Sequence, residues 1–72
     1  MTSPDEHPIH ADVPTLTDLR ERADVLDTAA LTAHARTLGI EAPDDRADWF
    51  VVLEYDADGN ERGLFWVGPD DL

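Results

Sequence analysis

Two stretches of the 72-residue chain carry side chains that could do chemistry, and both point first to metal ligation. Asp56-Ala57-Asp58-Gly59-Asn60 places oxygen donors at alternate positions, as the opening of a helix-loop-helix calcium site does. The rest of that pattern fails: Glu61 stands where the sharp bend needs glycine, and Val67 where a bidentate glutamate should close the sphere. The same five residues are strong turn formers, so they read as a hairpin turn. The second stretch holds His7 and His10 with Asp5, Glu6 and Asp12 nearby. Pro8 separates the two histidines in a segment with no element to fix them, so the donors are not preorganised and no metal site is expected. His34, beside an apolar helical stripe, reads as a boundary residue rather than a ligand or base.

Covalent and acid–base catalysis fare no better. The chain has no cysteine, hence no thiolate nucleophile, no zinc thiolate and no disulfide. Carboxylates are abundant, but a general acid needs one held in a desolvated pocket. A chain of this length buries only about 60% of the surface its unfolded form exposes, which leaves little room for such a pocket. No phosphate-cradling glycine loop, dinucleotide fingerprint or Ser/His/Asp spacing is present. A non-catalytic protein without cofactor is expected.

Charge narrows the partners. Five arginines, no lysine and seventeen acids give a formal charge of −12 with neutral histidines. Such a surface is repelled by phosphate backbones and anionic lipid, so direct binding to nucleic acid or membrane is disfavoured. Three meanings of the acidity remain open: a solvated face that keeps a small protein soluble, adaptation to a salty cytoplasm, or a surface shaped to meet a basic partner. Met1 to Pro14 has no basic start and no apolar run of the kind a secretory signal needs, which points to the cytoplasm.

The elements follow from periodicity. Residues 1–14 contain Pro4, Pro8 and Pro14 and few large apolar groups, and are expected to form a flexible acidic arm. Residues 15–72 then make one small domain. Thr15 can cap a first helix, over about Leu16 to Val25, with Asp18 at its third position. Leu16, Leu19, Ala23 and Leu26 fall on one face of it, and Asp18, Glu21, Asp24 and Asp27 on the other. Asp27 or Thr28 caps a second helix over about Ala29 to Leu38, which Gly39 stops. Trp49 to Tyr55 and Leu64 to Val67 read as the strands of a hairpin.

The fold class expected is therefore α+β, a disordered arm followed by two short helices with an antiparallel hairpin packed on them. The core should hold Leu16, Leu19, Ala23, Leu26, Leu31, Ala35, Leu38, Ile40, Val51, Leu53 and Trp66. A three-residue loop with Gly59 as a bulge pairs Glu54 with Arg62 and Asp56 with Asn60. That register sets Trp49, Val51, Tyr55, Phe65 and Val67 on one face and Phe50, Val52, Leu64 and Trp66 on the other. The order helix, turn, helix, hairpin resembles a winged helix-turn-helix lacking one helix. The second helix, however, carries only Arg36 and His34 and the hairpin tip is acidic, which speaks against DNA contact.

Large apolar groups on both hairpin faces exceed what two short helices can cover, and exposed aromatic patches mark contacts. The expectation is a protein-binding module: a regulator, inhibitor or accessory subunit whose partner is a basic protein or a second copy. Phe50, Val52, Phe65 and Trp66 would make the contact, with Glu54, Asp56, Asp58 and Glu61 around the tip. Two alternatives are an inhibitor that mimics nucleic acid through Asp18, Glu21, Asp24 and Asp27, and a stand-alone domain of a salt-adapted organism.

Overall fold

The computed structural model describes residues 7–44 and 46–71. In chain order they form β1 (His7–Pro8), α1 (Val13–Ala23), α2 (Thr28–Thr37), β2 (Phe50–Tyr55), β3 (Glu61–Val67) and a single 3-10 turn at Pro69–Asp71. The strands make one antiparallel sheet in the order β1-β3-β2. The architecture is α+β, with both helices against one face of the sheet.

Local chemistry accounts for the helix ends. Asp12 is the N-cap of α1 and its carbonyl accepts the first helical bond, from Leu16 N–H at 3.0 Å. Pro14 sits in the first turn, where its missing N–H costs nothing. The helix thus begins three residues before the position expected from Thr15 and stops at Ala23 rather than near Val25. Asp27 caps α2 by accepting from Ala30 N–H at 2.8 Å, which neutralises one unpaired donor of the helix start. At its other end Gly39 takes φ +84°, the left-handed backbone that glycine adopts without steric cost. Gly39 N–H then reaches Arg36 C=O at 3.1 Å and Ile40 N–H reaches Ala35 C=O at 3.0 Å. These are the two bonds of a Schellman stop.

Leu19, Leu31, Ala35, Val51 and Trp66 form the core as expected, joined by Ile9, Trp49 and Leu64. Leu16, Ala23, Leu26, Ile40 and Leu53 pack partly buried around it. Leu38 does not: it is 38% exposed, because α2 ends at Thr37 and Leu38 leaves the helical spacing at φ −86°, ψ 2°.

Two features of the sheet go beyond the expected outline of helices and hairpin. The first lies at residues 7–9. His7 and Pro8 pair with Trp66 and Phe65 of β3, Ile9 N–H donates to Leu64 C=O at 3.1 Å, and Ile9 is buried. Ile9 and the free side of β3 thus tie residues 7–9 to the sheet; the part of the expected arm at residues 1–6 lies outside the described residues. The second concerns register. Gly59 does make the expected bulged turn, with φ +86°, Gly59 N–H on Asp56 C=O at 3.0 Å and Asp56 N–H on Asn60 C=O at 2.8 Å. A second bulge follows at once. Tyr55 lies opposite Glu61 but Glu54 lies opposite Gly63, so Arg62 is the extra residue.

That one-residue shift moves every later β3 side chain to the other face. Phe50 stands opposite Val67, Val51 opposite Trp66, Val52 opposite Phe65 and Leu53 opposite Leu64. The inner face therefore carries Val51, Leu53, Leu64 and Trp66, and the outer face Phe50, Val52, Phe65 and Val67. Gly63 takes φ +133° at the bulge, a backbone region that other residues rarely enter.

Candidate functional site

The residues expected to make contact are now sorted by the sheet. Phe50 and Val52 on β2 and Phe65 on β3 fall on the outer face, each half-buried, and Phe50 at the start of β2 also lines a hollow with Ala29, Ala33 and Arg36 of α2. The second bulge puts Phe65 on that face, since the simpler register would have set it on the opposite side. Pro8 adds an exposed ring beside Phe65 at the β1 edge. Trp66, expected at both the core and the contact, is only 3% exposed and belongs to the core. Its neighbour across the sheet is the fully buried Val51, so it presents nothing to a partner.

Polar groups frame this face. The Arg62 guanidinium lies 5.1 Å above the Phe65 ring centroid and places Nη1 3.3 Å from a Glu54 carboxylate oxygen. It thus covers part of the aromatic surface while pairing with a neighbouring acid. At the tip, Asp58 N–H and Asn60 N–H both donate to the Asp56 carboxylate at 2.9 Å. The Asn60 N–H bond is the largest influence holding Asp56 below the usual aspartate pKa, partly opposed by desolvation and aided by Asp58 N–H. These oxygens are committed to the turn. Asp56 and Asp58 remain exposed at the end of the hairpin.

Glu61 is drawn the other way. Its carboxylate meets Arg20 Nε at 2.7 Å and ties β3 to α1 on the helical side of the sheet. It is not part of the rim of the outer face.

The row of acids expected along one helix is divided. Asp18 pairs with His34 Nε2 of α2 at 2.7 Å, which gives that boundary histidine its partner. Glu21 stays on exposed helix surface. Asp24 is the C-cap of α1, still in helical backbone, whereas Asp27 is the extended N-cap of α2 and leaves the row.

The histidines of the N-terminal stretch are not brought together as ligands. His7 Nε2 accepts from Arg46 Nη1 at 2.8 Å, and its ring lies 5.2 Å from that of Trp49, over which Arg46 also sits at 4.4 Å. This stack closes the loop before β2 onto β1. His10 is exposed, and no group of three or more metal-donating side chains stands together among the described residues. Nor, among those residues, is any helix long and apolar enough to cross a membrane.

Sequence reasoning missed the outer edge of β2. Val51 N–H points away from β3 and donates to Thr32 Oγ1 of α2 at 2.8 Å, while the same hydroxyl donates to Thr28 C=O at 2.7 Å. Thr32 is buried and both its bonds are used. A threonine in the apolar stripe of α2, one position after Leu31, was the available signal. Beyond this contact a groove of about 320 Å³ runs along the edge between β2 and the junction of the helices.

Comparison of the chain with protein-family models, with curated proteins and with solved structures found no match.

Proposed function

We propose that this chain is a non-catalytic protein-binding module, acting as a regulator, inhibitor or accessory subunit of a basic protein partner. The observation that carries the reading is the outer face of the hairpin. Phe50, Val52 and Phe65 form an apolar surface on the side of the sheet opposite α1 and α2. A solvated sheet face is expected to be polar, so aromatic groups gathered there favour a contact. The acidic surface supplies the second half of recognition. Arg20, Arg36, Arg46 and Arg62 each engage groups within the fold, whereas Glu21, Asp24, Glu41, Asp44, Asp48, Asp56 and Asp58 are exposed. A partner of opposite charge is steered by that field, while the apolar patch sets how long it stays.

Replacement of Phe50 by glutamate tests the face without opening the core, because Phe50 points away from it. The tagged chain and its Phe50→Glu variant would each be used to capture protein from the native lysate at low and at high salt. The expected result is one stoichiometric, basic partner held by the parent chain and lost by the variant, with unchanged circular dichroism. Equal capture by both would overturn the assignment to this face.

A further inference from the structure

Taking the chain as a binding module, we infer that the outer edge of β2 accepts an extended, basic segment of the partner protein as a fourth strand. Two independent hydrogen bonds fix which way this edge points. Val51 N–H is directed at Thr32 of α2, away from β3. On the far side, Leu64 C=O accepts from Ile9 N–H, so Leu64 directs its amide groups toward β1 rather than β2. Leu64 lies opposite Leu53, and in an antiparallel pair the two residues either exchange both bonds or neither. Leu53 therefore turns its N–H and C=O outward, away from the sheet. Tyr55 follows by alternation, since Asp56 N–H points inward to Asn60 C=O.

Helix α2 hydrogen-bonds this edge at Val51, and Ala29, Ala33 and Arg36 line a hollow with Phe50 just before it. From Val51 onward the edge faces the groove, whose walls include Ala23 at the end of α1, Leu26 beyond it, Thr28 and Leu31 of α2, and Leu53 and Tyr55 of β2. Tyr55 is 55% exposed and Val25, in the linker between the helices, 76% exposed. Open edges are normally blunted by lysine, proline or an inward charge. β2 reads Phe-Val-Val-Leu-Glu-Tyr, and its one charge, Glu54, belongs to the outer face. An added strand would place alternate side chains in the groove and the rest beside Val52, extending the apolar outer face by one strand.

Charge selects the occupant. No arginine lines the groove. Exposed Asp24 and Asp27 flank its helical end, and exposed Asp56 and Asp58 follow Tyr55 at the other. A segment with apolar residues alternating with lysine or arginine satisfies both the groove and this acidic frame. A second copy would bring another chain of charge −12 against the same acids.

The test uses the full chain, isotopically labelled, and a capped seven-residue peptide of alternating lysine and valine. Its control is the same peptide N-methylated at alternate residues, which keeps charge and side chains but removes the donors on the pairing edge. The expected result is binding of the unmodified peptide with slowed hydrogen exchange at the Leu53 and Tyr55 amides. The methylated peptide should bind about tenfold more weakly, as loss of two or so backbone hydrogen bonds implies. Equal binding of the two peptides, or no added protection at Leu53 and Tyr55, would overturn strand addition. So would protection of those amides by self-association without peptide. A Phe50-dependent lysate partner alongside any of these failures would leave the binding module standing and remove only its mode.

Discussion

A single hydroxyl, that of Thr32, joins α2 to β2. It accepts from Val51 N–H on β2 and donates to Thr28 C=O on its own helix, and the residue is 4% exposed. Thr32→Val keeps shape and volume but leaves Val51 N–H buried without a partner, which costs about 1–3 kcal/mol. Thr32→Ser keeps the hydroxyl and gives up one methyl group, about 1 kcal/mol. Urea denaturation of the two variants should therefore rank valine below serine. The reverse order would mean that the methyl packing, not the bond to the strand, holds α2 to β2. The same reasoning sets apart His7 and Arg46: their bond and the Trp49 ring that both touch are specific contacts that neither residue type announces in the sequence.

For the elements, legibility depended on whether a feature was local. Helix α2 was readable to within a residue because Asp27, the apolar positions and Gly39 all act inside one short stretch. The hairpin and its Gly59 turn were readable for the same reason. β1 was not, since its ordering depends on Ile9 meeting Leu64 of a strand more than fifty residues away. The second bulge was hidden as well. Gly63 is an ordinary residue in a strand pattern until its φ of +133° is seen, and the choice of faces hangs on it. That makes Gly63→Ala informative. A Cβ there would meet only Phe65 Cε2 at 3.8 Å, so space is adequate and the backbone alone resists. The variant should lose about 1–3 kcal/mol if the bulge is kept. Loss of the bulge would turn Phe65 inward and Trp66 outward, and the indole fluorescence would shift to the red. A stability equal to the parent with unchanged fluorescence would show that the bulge does not depend on glycine.

On the scale of the whole molecule, charge and size set the remaining question, whether the acidity opposes the fold or serves a contact. The radius of gyration is 11.4 Å, close to the screening length of about 10 Å at 0.1 M salt. Repulsion between acids on opposite sides of the molecule is therefore largely removed by about 0.1 M salt. Further addition acts mainly on pairs about 3 to 10 Å apart, as the screening length shortens to about 3 Å at 1 M. A chain whose −12 charge merely opposes compaction should gain stability steeply at the lowest ionic strengths and then level off. Thermal unfolding followed from millimolar to molar sodium chloride should show that plateau, with a cooperative transition already present at the lowest salt. The ion pair Arg20–Glu61 joins β3 to α1 in any case, and being part-exposed it loses strength as salt rises. The two trends oppose each other above about 0.1 M, which flattens the curve. A midpoint that instead climbs through the molar range, with no folded state at low salt, would mean that concentrated salt is this fold's working solvent. The acids would then be explained by their surroundings, and a basic partner would have to be argued from the apolar face and the β2 edge alone.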